Sequence, residues 1–126
     1  MMSLERSDFE HVVQETFDRL PPKFREVIEN VAVVVEDYPS EDIARNLGLR
    51  SKHDLLGLYQ GVPLPQRGSW YGMTPILPDR ISLYQKNIEA HCATEEEVHA
   101  KIFEVLVHEI GHYFGMSEEE IREAGY

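Results

Sequence analysis

The stretch "VHEIGHYFGMSEEE", residues 107–120, places two histidines four positions apart, with an acid directly after the first. A glycine and a run of acids follow. In a helix, residues four apart lie about 40° apart on the wheel, so the imidazoles of His108 and His112 can reach one ion. Glu109 lies about 100° round, too far to ligate in the same way but close enough to hold a water beside them. Val98, Ile102, Leu106, Ile110 and Tyr113 form an apolar arc on the same helix. Glu109 falls between the histidines and that arc, which predicts a partly desolvated carboxylate whose proton affinity rises towards what a general base needs.

His108, Glu109 and His112 match H-E-x-x-H, the zinc signature of metallohydrolases. A chain of this composition carries the motif by chance about 4% of the time, and the set glycine and acid reduce that to roughly 0.04%. An ordinary polar helix face is therefore a poor account of it. Catalytic zinc takes three protein ligands and a water. Gly115 permits a sharp turn, and Glu118 falls where the third ligand sits in H-E-x-x-H-x-x-G-x-x-(ligand) sites. A carboxylate oxygen also ligates zinc. Glu119, Glu120 and Glu123 remain alternatives, and His91 and His99 lack any spacing argument.

Working outward, Thr94 with Glu97 reads as a capping box opening a helix that runs to about Phe114 and stops at Gly115. Acids at 95–97 suit the dipole of its first turn. Ser117 with Glu120 caps a last short helix. Upstream, "RISLYQ" (80–85) alternates as a strand, and the Gly- and Pro-rich Val62–Asp79 segment reads as a long loop. "DLLGLYQG" (54–61) is a strand candidate, and "SEDIARNLG" (40–48) is a two-turn helix capped by Ser40 and closed by Gly48. "VAVVVEDYP" (31–39) is β-branched and reads as a largely buried strand. "SDFEHVVQETFDRL" (7–20) opens with a Ser7–Glu10 capping box and is amphipathic, ended by Pro21 and Pro22, with a short helical turn through Val27. This order implies an α+β fold with one small sheet, as one domain over residues 1–126.

The 126 residues and 42% hydrophobic content suffice for one core without staples, and the single Cys92 has no internal partner for a disulfide. Cys92 reads as a buried or neutral thiol. A net charge of -11 with scattered Lys and Arg argues against nucleic acid, which needs a basic patch. The charged start "MMSLERSDFEHVV" lacks the apolar stretch of a signal peptide, and no segment approaches a membrane span, so a cytoplasmic protein is expected.

Of the remaining candidates, Trp70 and Tyr71 read as aromatics pinning the long loop, and His11, His53, His91 and His99 as surface or capping residues. Tyr71, Tyr113, Tyr126 and Arg80 are open choices for a group that stabilises an oxyanion. Tyr113 reads as core, and Arg80 as the partner of Asp79 or Glu36.

The chain resembles the small bacterial zincin-like metallopeptidases with a minimal zincin fold. The resemblance rests on "VVVEDYP" (33–39), "LLGLYQGVPLPQRG" (55–68), "LPDRISLYQ" (77–85) and "HEIGHYFGMSEEEI" (108–121), and is loose over the first 30 residues. It implies a small mixed sheet packed with helices, including a C-terminal metal-binding helix. By that resemblance His108, His112 and Glu118 are the zinc ligands and Glu109 the catalytic base. Relatives often carry Asp where this chain has Glu118. The wider fold places an edge strand beside the active helix for an extended peptide, and "RISLYQ" is the expected strand. Neither the Met-turn of metzincins nor a second glutamate helix is present.

The expected function is a zinc-dependent peptidase that hydrolyses a peptide or protein substrate with a zinc-held water activated by Glu109. The alternative is a non-catalytic zinc module that binds extended peptides or partner proteins. Retention of Glu109 argues against it, and a purely structural site normally has four protein ligands. A metal-dependent nuclease is disfavoured by the charge and by Glu109.

Overall fold

The computed structural model describes residues 2–20, 22, 25, 31–61 and 79–125. Residues 62–78 of the expected loop, with Trp70 and Tyr71, lie outside them, as do Val27 and Tyr126.

Helix α1 (Arg6–Asp18) buries Phe9, Val12, Val13 and Thr16, the face marked out by their spacing. The expected Ser7–Glu10 capping box does not form. Ser7 is already helical, Glu5 is the N-cap, and no side chain caps the end. Tertiary bonds hold this start instead. Arg6 donates from Nε to Gln85 Oε1 at 2.6 Å, from one terminal nitrogen to the Val35 carbonyl at 3.0 Å, and from the other to Asp37. The Met2 N–H donates to the Cys92 carbonyl at 2.8 Å and the Leu4 N–H to Glu89 Oε2 at 2.7 Å.

Three strands follow: β1 (Ala32–Glu36), β2 (Gly57–Gln60) and β3 (Arg80–Tyr84), in the order β1-β3-β2. Strand β3 runs parallel to β1, with Val33 opposite Ile81, and antiparallel to β2, with Leu58 opposite Ser82. Two expectations are corrected here. "RISLYQ" is the central strand, not the edge, and Ile81, Ser82, Leu83 and Tyr84 are all buried in it. The strand beside the active helix is β2, an edge among the described residues. Strand β1 is half-buried with Ala32 exposed, because it forms the other edge. Alternation reveals which residues share a face but not which strands are neighbours.

Helix α2 (Glu41–Asn46) is capped by Ser40, whose side chain accepts from the Ile43 N–H. Helix α3 (Gln85–Ala90), which sequence patterning missed, starts directly after β3. It has no side-chain cap, and it buries Gln85, Asn87 and Glu89, polar residues that normally mark an exposed face. Each has bonds to justify it. Asn87 donates to the carbonyls of Lys52 and Leu55 at 2.7 and 2.6 Å, and Gln85 to the Leu4 carbonyl at 2.9 Å.

Helix α4 (Glu95–Tyr113) is capped by the Thr94 side chain, which accepts from the Glu97 N–H; the Glu97 carboxylate takes the Ala93 N–H rather than that of Thr94. Val98, Ile102, Leu106, Ile110 and Tyr113 are all buried, joined by Val105. They pack against Ile81 and Leu83 of the sheet and Phe9, Val12 and Val13 of α1. Cys92 is buried in the same core, where loss of solvent pushes its thiol pKa up and keeps it neutral. Gly115 ends the helical run at φ 84°, a left-handed conformation that glycine adopts without strain. Helix α5 (Glu118–Glu123) begins with the complete Ser117–Glu120 capping box. Among the described residues, no helix is long and apolar enough to cross a membrane.

Strand β2 approaches α4 closely at Gly57. A Cβ there would stand 2.6 Å from Val105 Cγ1 and 3.2 Å from the Ser82 carbonyl oxygen. Gly57→Ala is expected to push strand and helix apart at a cost of about 1–3 kcal/mol, read as a lower urea midpoint. An unchanged midpoint would show that the contact carries no constraint.

Candidate metal centre

His108 and His112 project from adjacent turns of α4, with ring centroids 5.1 Å apart. Candidate ligand atoms of His108, Glu109 and His112 lie within 4.8 Å of one another. The turn at Gly115 brings α5 back across this face. Gly111, inside the motif, makes the return possible: a Cβ on it would meet Ile121 Cγ1 at 2.9 Å. With Ile121 seated there, Glu118 places its carboxylate between the imidazoles. Its oxygens stand 2.7 Å from His112 Nε2 and 3.0 and 3.2 Å from His108 Nε2.

Two carboxylates therefore compete for the place of third ligand, and their surroundings differ. Glu118 faces both Nε2 atoms. Burial raises its pKa, but hydrogen bonds and positive charge from His108 and His112 outweigh that and hold it below the ordinary carboxylate value. Glu109 is buried, 6% exposed, and accepts the backbone N–H of Tyr59 on β2. Loss of solvent raises its pKa above the usual value, against the lowering effects of His112, His108 and that N–H. Glu118 thus lies between the two imidazoles, and Glu109 lies buried beside them.

The His112 tautomer is informative. Its Nδ1 lies 3.1 Å from the Met116 carbonyl, which can only accept, so Nδ1 carries the proton. Nε2, on the other side of the ring, then faces a carboxylate oxygen 2.7 Å away. A proton on Nε2 makes that contact a charged hydrogen bond, and a metal ion can take the place of that proton. Donor atoms around a tetrahedral zinc are about 3.3 Å apart, close to the spacing found here. A backbone carbonyl on the far nitrogen is also how metal-binding histidines are commonly oriented. Two imidazole nitrogens and a carboxylate suit zinc in type, number and spacing.

The other candidates are placed elsewhere. Glu120 is engaged in the α5 capping box, and Glu119 and Glu123 are exposed. His99 pairs with Glu95 at 3.9 Å, His11 with Glu15 at 3.0 Å, and His53 packs edge-on to Tyr38. His91 is exposed. Arg80 pairs with Glu36, one of its two expected partners, and Tyr113 is core. Neither lines the cleft at this site. Sequence reasoning missed the Tyr59 N–H, the Met116 carbonyl and the Gly111–Ile121 contact. Only Gly111 left a signal, since glycine inside a helix costs stability and calls for a packing reason.

A helix bearing two imidazoles and a buried acid, with an edge strand alongside, is a zincin-like arrangement. The family model described as zincin-like metallopeptidase matches residues 28–126, and the chain belongs to that family. No curated protein matches the chain. The family implies a metal, usually zinc, and the group at 108–112 can hold one.

The raised Glu109 pKa gives a stability prediction for metal-free protein. Burial penalises the charged carboxylate, so its contribution is most favourable below the ordinary value of 4.5 and is lost as pH rises through the raised folded value. Glu109→Gln keeps an acceptor for Tyr59 and removes the charge. Thermal melts with chelator should show the variant more stable than the parent at pH 7, the difference vanishing below about pH 4.5. A variant less stable at pH 7 would mean that the charge is accommodated.

Proposed function

We propose that this protein is a zinc-dependent peptidase, with His108, His112 and Glu118 holding the metal and Glu109 as general base. The observation that carries the reading is the convergence of His112 Nε2, His108 Nε2 and the Glu118 carboxylate at 2.7 to 3.2 Å. Beside them stands a buried acid whose pKa is raised. A zinc ion held there supplies Lewis acidity, polarising a carbonyl and acidifying a water.

Glu109 takes a proton from the attacking water as its oxygen bonds to the peptide carbonyl carbon. The C–N bond then breaks, and Glu109 passes the proton to the leaving amine nitrogen. Its raised proton affinity suits both steps, and the Tyr59 N–H keeps the carboxylate aimed.

Substrate fits the cleft of about 810 Å3 that runs between β2 and α4 over the site. Leu47, 49% exposed, lines it with Leu55, Leu58 and Val105, a wall for apolar side chains. Leu56 and Tyr84 share a main-chain bond at 3.0 Å, so pairing alternates onto Leu58 and Gln60. Gly57 and Tyr59 then turn their main-chain groups towards the cleft. An extended peptide can align along that edge.

The test is an unbiased peptide library given to zinc-loaded protein and to Glu109→Ala at equal zinc content. Cleavage by the first and loss of at least about 100-fold in the second is expected. Equal cleavage by both would remove Glu109 as the base. No cleavage by either, with zinc bound in both, would favour a peptide-binding module.

A further inference from the structure

We infer that Arg122 recognises a carboxylate on the substrate peptide, one or two residues from the scissile bond. This rests on the peptidase reading and names the substrate chemistry. Arg122 is the one lysine or arginine among the described residues lining the cleft. It lies on α5 four positions after Glu118, so it shares the face that looks towards the imidazoles, about 6 Å further along the helix axis. Glu118 at that spacing is its natural ion-pair partner, but both Glu118 oxygens are engaged with His108 and His112.

Among the described residues Arg122 has no ion-pair partner, in a chain with 23 acids against 12 Lys and Arg. Its guanidinium has a planar set of donors suited to a bidentate carboxylate.

Glu104, which also lines the cleft one turn before His108, is already paired with Lys101 at 3.2 Å, and Arg122 is left as the cleft's cation for a peptide carboxylate. One or two residues of extended chain span about 3.5–7 Å, the reach needed from a carbonyl at the site. Either an acidic side chain or a free C-terminus supplies this chemistry.

Binding separates the sources and does not depend on turnover. Full-length zinc-loaded Glu109→Gln is titrated by fluorescence anisotropy with two matched sets of short peptide libraries. One set compares Glu with Gln at each position, and the other compares a free C-terminal carboxylate with its amide. The carboxylate form of one set should bind about fivefold to tenfold tighter, and high salt should narrow the difference. The set that responds identifies the source. Adding Arg122→Gln should abolish the preference, Arg122→Lys should keep part of it, and Arg122→Glu should turn it towards Lys-bearing peptides. Equal binding of acid and neutral forms, or a preference that survives Arg122→Gln, overturns the inference and leaves the peptidase reading standing. Failure to bind any peptide overturns both.

Discussion

Electron-pair acceptors held at hydrogen-bond distance repel unless positive charge sits among them. At this site His112 Nε2 and the Glu118 carboxylate stand 2.7 Å apart, with Nδ1 turned to the Met116 carbonyl, so a second proton on the ring or a metal ion supplies the charge between them. The architecture around the C-terminus serves that one constraint. Gly115 turns the chain, Gly111 lets Ile121 sit against α4, and the Ser117–Glu120 box starts α5 with Glu118 facing inward. None of these contacts touches a substrate, yet each decides where the Glu118 carboxylate arrives.

Helix α4 carries core and site together. Val98, Ile102, Leu106 and Ile110 anchor it in the interior, and Glu109 lies at the boundary, buried enough to feel desolvation and open enough to face the cleft. Gly57 brings the edge strand near enough for the Tyr59 N–H to reach Glu109. The Tyr59 hydroxyl in turn donates to buried Asp79 at 2.9 Å, which ties the strand down at its far end. The family match begins at residue 28, but α1 is not a detachable preface. Phe9, Val12 and Val13 complete the core, and Arg6 fastens the N-terminal segment to β1 and α3.

Much of this was legible in the sequence because it is local. The i, i+4 histidines, the apolar arc of α4, the Ser40 and Ser117 caps and the Gly115 stop all follow from helix periodicity and capping chemistry. The burial of Glu109 followed from the wheel. What failed was non-local. Strand order depends on which edges meet, so the pattern of "RISLYQ" could not show that it lies between β1 and β2. Helix α3 was invisible because its buried Gln85, Asn87 and Glu89 bond to distant main chain, which no window of sequence contains. The Ser7–Glu10 box was outcompeted by bonds between Arg6 and residues 29 to 79 positions away.

The central claim is that two imidazoles and Glu118 form a single metal site. X-ray absorption spectroscopy of the zinc-loaded protein, beside Glu118→Ala, tests it directly. The account predicts one zinc per chain with two imidazoles and only nitrogen and oxygen neighbours at 2.0–2.2 Å, and at least about tenfold weaker zinc binding in the variant. A Glu118→Ala protein with the same coordination and affinity would contradict it.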